Sequence, residues 1–159
     1  MTVEKIFKEK EIREIQEIHR HFPVKSAACI EALKVIQKHH RWVSDEAVRE
    51  LAEILEMSPE AIDSVATYYS LIFRRPVGRH VILICDSVSC WIMGYEKIVD
   101  YLKNKLAIGY GETTPEDRFT LLSIPCLGTC DRAPAMIIDE DLHQDLTTEK
   151  LDKILEKYE

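Results

Sequence analysis

Apolar and polar positions divide the chain into two textures. From Glu4 to about Tyr69 the apolar residues return every three or four positions, the period of an amphipathic helix. Ile12, Ile15 and Ile18 form the first stripe, ahead of His21-Phe22-Pro23. A second helix is predicted from Ser26, a suitable N-cap, with Ala27, Cys29, Ile30, Leu33 and Ile36 inward and its end near His39-His40. A third starts at Ser44 and turns Ala47, Val48, Leu51, Ala52, Ile54 and Leu55 inward. The fourth opens with Ser58-Pro59-Glu60: an N-cap, a proline at the first helical position and a carboxylate in the first turn. Short polar joints between these segments predict a compact helical bundle.

The texture changes at Arg74-Arg75-Pro76-Val77-Gly78, a turn carrying proline and glycine. His80-Val81-Ile82-Leu83-Ile84-Cys85 then has the β-branched, apolar composition of a buried strand. A helix from Tyr95 to Leu106, with Ile98, Val99, Leu102 and Leu106 on one face, precedes a Gly-, Thr- and Pro-rich loop, Gly109 to Arg118. Phe119 to Ile124 and Ala135 to Ile138 read as further strands, and the Asp139-Glu140-Asp141 turn leads to a fourth around Leu142-His143-Gln144. Thr147 is placed to cap a last helix carrying Leu151, Ile154 and Leu155. The fold expected is α+β: a helical bundle over residues 1–75, then a thioredoxin-like domain over 76–159 with the order β-α-β-β-β-α and a mixed sheet. The first βαβ unit is expected to cross over right-handed. Pro134 precedes the third strand where thioredoxin-like folds often carry a cis proline, and both isomers stay open here.

Composition narrows what such a chain can do. Its 159 residues are 46% hydrophobic and 31% charged, enough for a packed core. The formal charge of -7 argues against a nucleic-acid partner, because phosphate binding needs clustered Lys and Arg. No apolar run approaches the ~18 residues needed to span a bilayer. The start alternates charges within a few residues, unlike a secretory signal or a mitochondrial transit peptide, so a bacterial-type cytoplasm is expected. Thiols stay reduced there, and the odd number of cysteines, five, argues further against a disulfide framework.

The chemistry lies in two cysteine pairs. Cys85 and Cys90 are separated by four residues and Cys126 and Cys130 by three, with 35 residues between the pairs. Each pair falls where a predicted strand gives way to a loop. In a βαβ unit the two strands are parallel and their C-terminal ends share one sheet edge, so the two loops present four thiols to one region. Such a set suits a [2Fe–2S] cluster, which takes four thiolates, two per iron. Backbone N–H groups near Ser87 to Cys90 and Leu127 to Cys130 are expected to point at sulfur, with Gly128 letting the second loop approach closely. Ser87, Ser89 and Thr129 are candidate donors around the ligands, and an acidic, exposed setting favours a low reduction potential. Spacing alone leaves other readings open: a structural zinc site, two unrelated buried pairs, and, less well matched, a redox dithiol, whose usual spacer is two residues. A Rieske centre needs two His ligands, and neither loop contains His.

A resemblance sharpens this. The string Cys85-Asp86-Ser87-Val88-Ser89-Cys90, then Gly94, Glu96, Gly111-Glu112-Thr113-Thr114, Cys126-Leu127-Gly128-Thr129-Cys130 and Ala133-Pro134 resembles the NuoE-type [2Fe–2S] subunit of respiratory complex I. The helical half shares in it through Ser26-Ala27-Ala28, Leu33, Gln37 and Val65-Ala66-Thr67-Tyr68-Tyr69-Ser70, so that the resemblance spans roughly residues 11 to 157. Ser64, Tyr68 and the Trp91-Ile92-Met93 spacer depart from the family pattern, but no ligand position does. The resemblance implies that Cys85, Cys90, Cys126 and Cys130 are cluster ligands, one pair per iron. It also implies that the helical half docks onto a partner protein binding NADH and flavin mononucleotide.

Remaining residues have plainer readings. Cys29 is expected as a core thiol, and His39-His40 as favourable charge at a helix C-terminus. Tyr68, Tyr69, Ile72 and Phe73 suit either core packing or a partner surface, and Trp91 either a water shield or a partner contact. The first helix is expected to pack one face and solvate the other, with a partner clamp as the alternative. The chain carries no Gly-x-Gly-x-x-Gly motif after a strand and no P-loop, so nicotinamide and flavin are expected on a neighbour. The function expected is electron transfer within NADH:quinone oxidoreductase, on the cytoplasmic side of the membrane and without insertion. The alternatives are the same module in an NAD-linked hydrogenase or formate dehydrogenase, or a zinc-stapled adaptor.

Overall fold

The computed structural model describes residues 5–158; the first four residues, on which the reading of the N-terminus partly rests, lie outside them. The chain divides into two compact units, one ending at Pro76 and one beginning at Val77.

The first unit is helical, with α1 (Glu9–His19), α2 (Cys29–His40), α3 (Asp45–Leu55) and α4 (Pro59–Tyr68). Its core holds Ile15, Leu33, Ile36, Leu51, Leu55 and Ile62, all essentially inaccessible. α2 packs against the other three helices. Ser58 caps α4 as expected and Ser44 likewise caps α3, each hydroxyl accepting an N–H, from Ala61 at 3.2 Å and from Ala47 at 3.1 Å. Ser26 does not cap α2. It sits inside a 3-10 turn, Lys25–Ala28, that runs straight into α2, and its carbonyl takes the Cys29 N–H. A helix fed by such a turn finds backbone partners for its first donors and needs no hydroxyl.

The second unit contains β1 (His80–Cys85), α5 (Val88–Ile92), α6 (Tyr95–Leu106), β2 (Phe119–Ile124), β3 (Met136–Ile138), β4 (Asp141–His143) and α7 (Thr148–Leu155). The sheet order is β2-β1-β3-β4. β1 runs parallel to β2 from His80↔Phe119 to Cys85↔Ile124, while β3 is antiparallel to both β1 and β4. This is the mixed sheet of a thioredoxin-like fold. Ile82, Ile84, Leu121 and Met136 fill the core with Phe119, Leu102 from α6 and Leu151 from α7. The third and fourth strands differ by one residue from their predicted spans, and the Ala133–Pro134 peptide is cis. Thr147 occupies the N-cap position of α7, but its side chain makes no capping bond. α5 has no counterpart in the sequence reading; its five residues are too few to show a helical period.

Candidate metal centre

The parallel register of β1 and β2 decides where the cysteines stand. Cys85 ends β1 opposite Ile124, the last residue of β2, so both chains leave the sheet at the same level of the same edge. The ladder runs one step further, the Asp86 N–H donating to the Ile124 carbonyl at 3.1 Å. Cys126 follows two residues after Ile124 and Cys130 opens a short 3-10 turn, Cys130–Arg132.

The two pairs differ in setting. Cys85 and Cys90 are 3% and 2% exposed and form a small apolar cluster with Ala133, against which Tyr95 and Leu127 pack. Cys126 and Cys130 are exposed. Cys90 is buried because α5 follows closely on β1 and turns it inward, while Val88, Trp91 and Ile92 face solvent. Burial, then the neighbouring Cys85 thiol, push the Cys90 thiol up to about 11, against the pull of the Ala135 N–H. The Ala135 carbonyl in turn accepts the Cys85 N–H at 3.1 Å, so one residue after Pro134 serves both buried cysteines.

In the second loop the Gly128 N–H donates to Cys126 Sγ at 3.3 Å, an N–H aimed at sulfur as expected. Gly128 itself has φ +73°, a left-handed conformation that favours glycine. Thr129, a candidate donor, accepts at Oγ1 from Gln144 Nε2. Ser87 occupies the N-cap position of α5 with no capping bond from its side chain.

The donor set fits a [2Fe–2S] cluster in kind: four thiols in two pairs, at the ends of adjacent parallel strands, with N–H donors at Cys90 and Cys126. Among the described residues no three His, Cys, Asp or Glu side chains are already grouped as a site for one ion. A [2Fe–2S] cluster asks instead for two pairs of thiolates.

Cys29 is buried in the core of the helical unit, and that burial raises its thiol pKa. His39 and His40 do more than complement a helix end: their Nε2 atoms meet Glu14 at 3.0 Å and Glu11 at 2.9 Å on α1. Tyr68 is 82% exposed and Tyr69 half-exposed, whereas Ile72 is buried. Trp91 is 58% exposed, with Ile92 and Met93 exposed beside it. Sequence reasoning missed two buried carboxylates, Glu11 and Glu50. Glu50 accepts the backbone N–H groups of Ile6 and Phe7 at 2.8 and 3.2 Å. The only signal in the sequence was a charge on an otherwise apolar face of α3.

Residues 15–159 match the family model described as thioredoxin-like [2Fe-2S] ferredoxin. A subunit of the NADH-quinone oxidoreductase of Escherichia coli strain K12 is 51% identical over 142 residues, covering 89% of this chain and 85% of that protein. The same subunit from Pseudomonas aeruginosa is 45% identical over 153 residues, 96% and 92% of the two chains. That of Buchnera aphidicola from Acyrthosiphon pisum is 48% identical over 149 residues, 94% and 92%. Among solved structures, an NAD+-reducing [NiFe]-hydrogenase in the H2-reduced state superposes with a TM-score of 0.69 at 25% identity. The match covers 79% of this chain but spans only 22% of the hydrogenase chain.

Proposed function

We infer the function from one premise: the chain belongs to the thioredoxin-like [2Fe–2S] ferredoxin family. Its role is that of the iron–sulfur electron-transfer subunit of an NADH:quinone oxidoreductase. When bound, a [2Fe–2S] cluster supplies a one-electron carrier. Cys85 and Cys90 hold one iron and Cys126 and Cys130 the other. The observation that supports this most is the Cys85↔Ile124 pairing, which starts both cysteine loops from one sheet edge.

The chain's own residues have definite tasks in this reading. All four thiols give up their protons on binding iron, and the N–H groups of Gly128 and Ala135 offset the negative charge left on sulfur. Burial of Cys85 and Cys90 keeps water from one side of the centre. Exposed Trp91 is then available for a partner contact rather than a shield. The partner is a flavin- and NADH-binding subunit, because this sequence carries no motif for either; residues 1–75 dock onto it and 76–159 carry the cluster. Among the described residues no helix is long and apolar enough to cross a membrane, which suits a peripheral position on the cytoplasmic side of a membrane-bound complex.

A second reading, the same module in an NAD-linked hydrogenase or formate dehydrogenase, is favoured only by the likeness to the [NiFe]-hydrogenase chain. A zinc-stapled adaptor is the weaker alternative. The test is to isolate the protein with its partners from its own cells and add NADH. Co-isolation of a flavin protein with quinone-reducing activity, and an NADH-reducible iron–sulfur signal, are expected. Co-isolation of hydrogenase or formate dehydrogenase subunits instead overturns the first reading in favour of the second, and a zinc-loaded, colourless protein overturns both.

A further inference from the structure

The exposed cysteine loop has no core of its own. Between β2 and the buried Ala133 it contains one 3-10 turn, and Cys126 and Cys130 lie at the surface. Besides Leu127, which packs against the Cys85–Cys90–Ala133 cluster, what fixes it is the short segment after β4. Gln144 Nε2 donates to Thr129 Oγ1. Arg132 donates through Nε and Nη2 to a single oxygen, Asp145 Oδ2, at 2.8 and 2.6 Å. The Asp145 N–H donates back to the Arg132 carbonyl at 2.8 Å, and the Leu146 N–H to the Pro134 carbonyl at 3.1 Å. The segment is itself anchored, with Leu146 buried in the core and Lys150 Nζ donating to the Asp145 carbonyl at 2.7 Å. Asp145 has φ +49°, a left-handed conformation that Asp tolerates better than most residues.

We propose that Gln144 and Asp145 are positioning residues for the exposed thiol pair, holding Thr129 to Arg132 so that Cys126 and Cys130 are presented together to one iron. This rests on the functional reading above. An exposed ion pair contributes little to global stability, so the Arg132–Asp145 contact has scant effect on the fold. Its effect is local: it closes a ring with the backbone bond from Asp145 to Arg132, two residues from a ligand. Gln144 adds a second constraint. A threonine hydroxyl that accepts from Gln144 keeps its own hydrogen to donate elsewhere, and Cys130 is its neighbour in sequence. Thr129 and Arg132 flank Cys130, so both contacts restrain the backbone that carries its thiol, one step further out than the groups bonded to a ligand whose loss weakens metal binding about ten- to hundredfold.

The test compares the cluster-loaded full-length protein with Gln144→Ala, Asp145→Ala, the double variant, Asp145→Asn and the charge swap Arg132→Asp/Asp145→Arg. Loss of visible absorption under an iron chelator is expected to be roughly tenfold faster in the double variant. The g values of the reduced protein should shift in low-temperature paramagnetic resonance. Asp145→Asn, which keeps the left-handed turn and an acceptor, should restore most of the slow rate, and the charge swap part of it. Hydrogen exchange at the core amides of Ile82 and Leu121 should be unchanged. A double variant with wild-type chelation rate and g values overturns the positioning role alone. Faster exchange at the core amides in step with cluster loss also overturns it, by making these residues merely structural. A wild-type protein that takes up no iron and sulfide overturns both this proposal and the functional reading.

Discussion

Cys85 stands opposite Ile124 at the last rung of the parallel β1–β2 ladder, and the Asp86 N–H adds one more bond to the Ile124 carbonyl. Two chains that leave a sheet side by side, in register, cannot diverge far within two residues, because each residue adds only ~3.3 Å of reach. The register therefore brings together two loops whose cysteines lie far apart in sequence. A one-residue slip of β2 would carry every one of its side chains to the opposite face, and buried Phe119 and Leu121 hold it against that.

Gly128→Ala is expected to destabilise the second cysteine loop. The φ of +73° at Gly128 costs a residue with a Cβ about 1 kcal/mol. Gly128→Asn should cost less, since Asn tolerates the left-handed region. Denaturant titration and the fraction of protein carrying iron both report the difference. A Gly128→Ala variant as fully loaded and as stable as wild type would contradict this account of the loop.

Glu50 is a buried carboxylate whose one oxygen accepts two backbone N–H groups, from Ile6 and Phe7. Glu50→Ala removes the acceptor and strands both donors, at a cost of about 1–3 kcal/mol. Glu50→Gln keeps an acceptor and should lie between. Exchange at the Ile6 and Phe7 amides should rise in Glu50→Ala, with little change in the β1–β2 ladder.

Acid should loosen the helical unit through Glu11. Burial alone would raise its carboxyl pKa, but the hydrogen bonds from His40 and from the Lys8 N–H, with the charges of His40 and His39, outweigh it and leave the pKa below its ordinary 4.5. The sign follows from linkage: a carboxylate depressed in the folded state stabilises it above the unfolded value, and that contribution is lost as pH falls below 4.5. Far-UV circular dichroism should show the helical signal weakening in that window. His40→Ala should move the onset to higher pH, and an onset unmoved by that substitution would contradict the assignment.

How much of this was legible in the sequence follows from the physics of each signal. The helices of the bundle declared themselves because one-sided burial imposes a period, and β1 because a short apolar, β-branched run marks a buried strand; helix α6 fell at its predicted bounds, Tyr95–Leu106. The two cysteine pairs stood out because each follows a strand, and the β1–β2 register does start both loops at the same level. α5 was not, since five residues carry no readable period. Ser26 misled because a hydroxyl before an apolar stripe looks the same whether it caps a helix or sits in a 3-10 turn feeding it. Glu11, Glu50 and the Gln144–Asp145 strap were invisible for another reason: a charged residue on a helix or in a turn reads as solvated until its distant partner is known, and Glu50 finds its partners more than 40 residues away.

The most direct measurement is low-temperature electron paramagnetic resonance on the dithionite-reduced protein, with iron and labile sulfide assays, in wild type, Cys85→Ala and Cys126→Ala. Wild type should hold iron and sulfide in equal amounts and give an S = 1/2 signal on reduction. Each substitution, taken from a different pair, should remove that signal and the visible colour. A wild-type protein holding zinc without sulfide, or a Cys85→Ala or Cys126→Ala variant that keeps the full signal, would contradict the assignment of these cysteines to a [2Fe–2S] cluster.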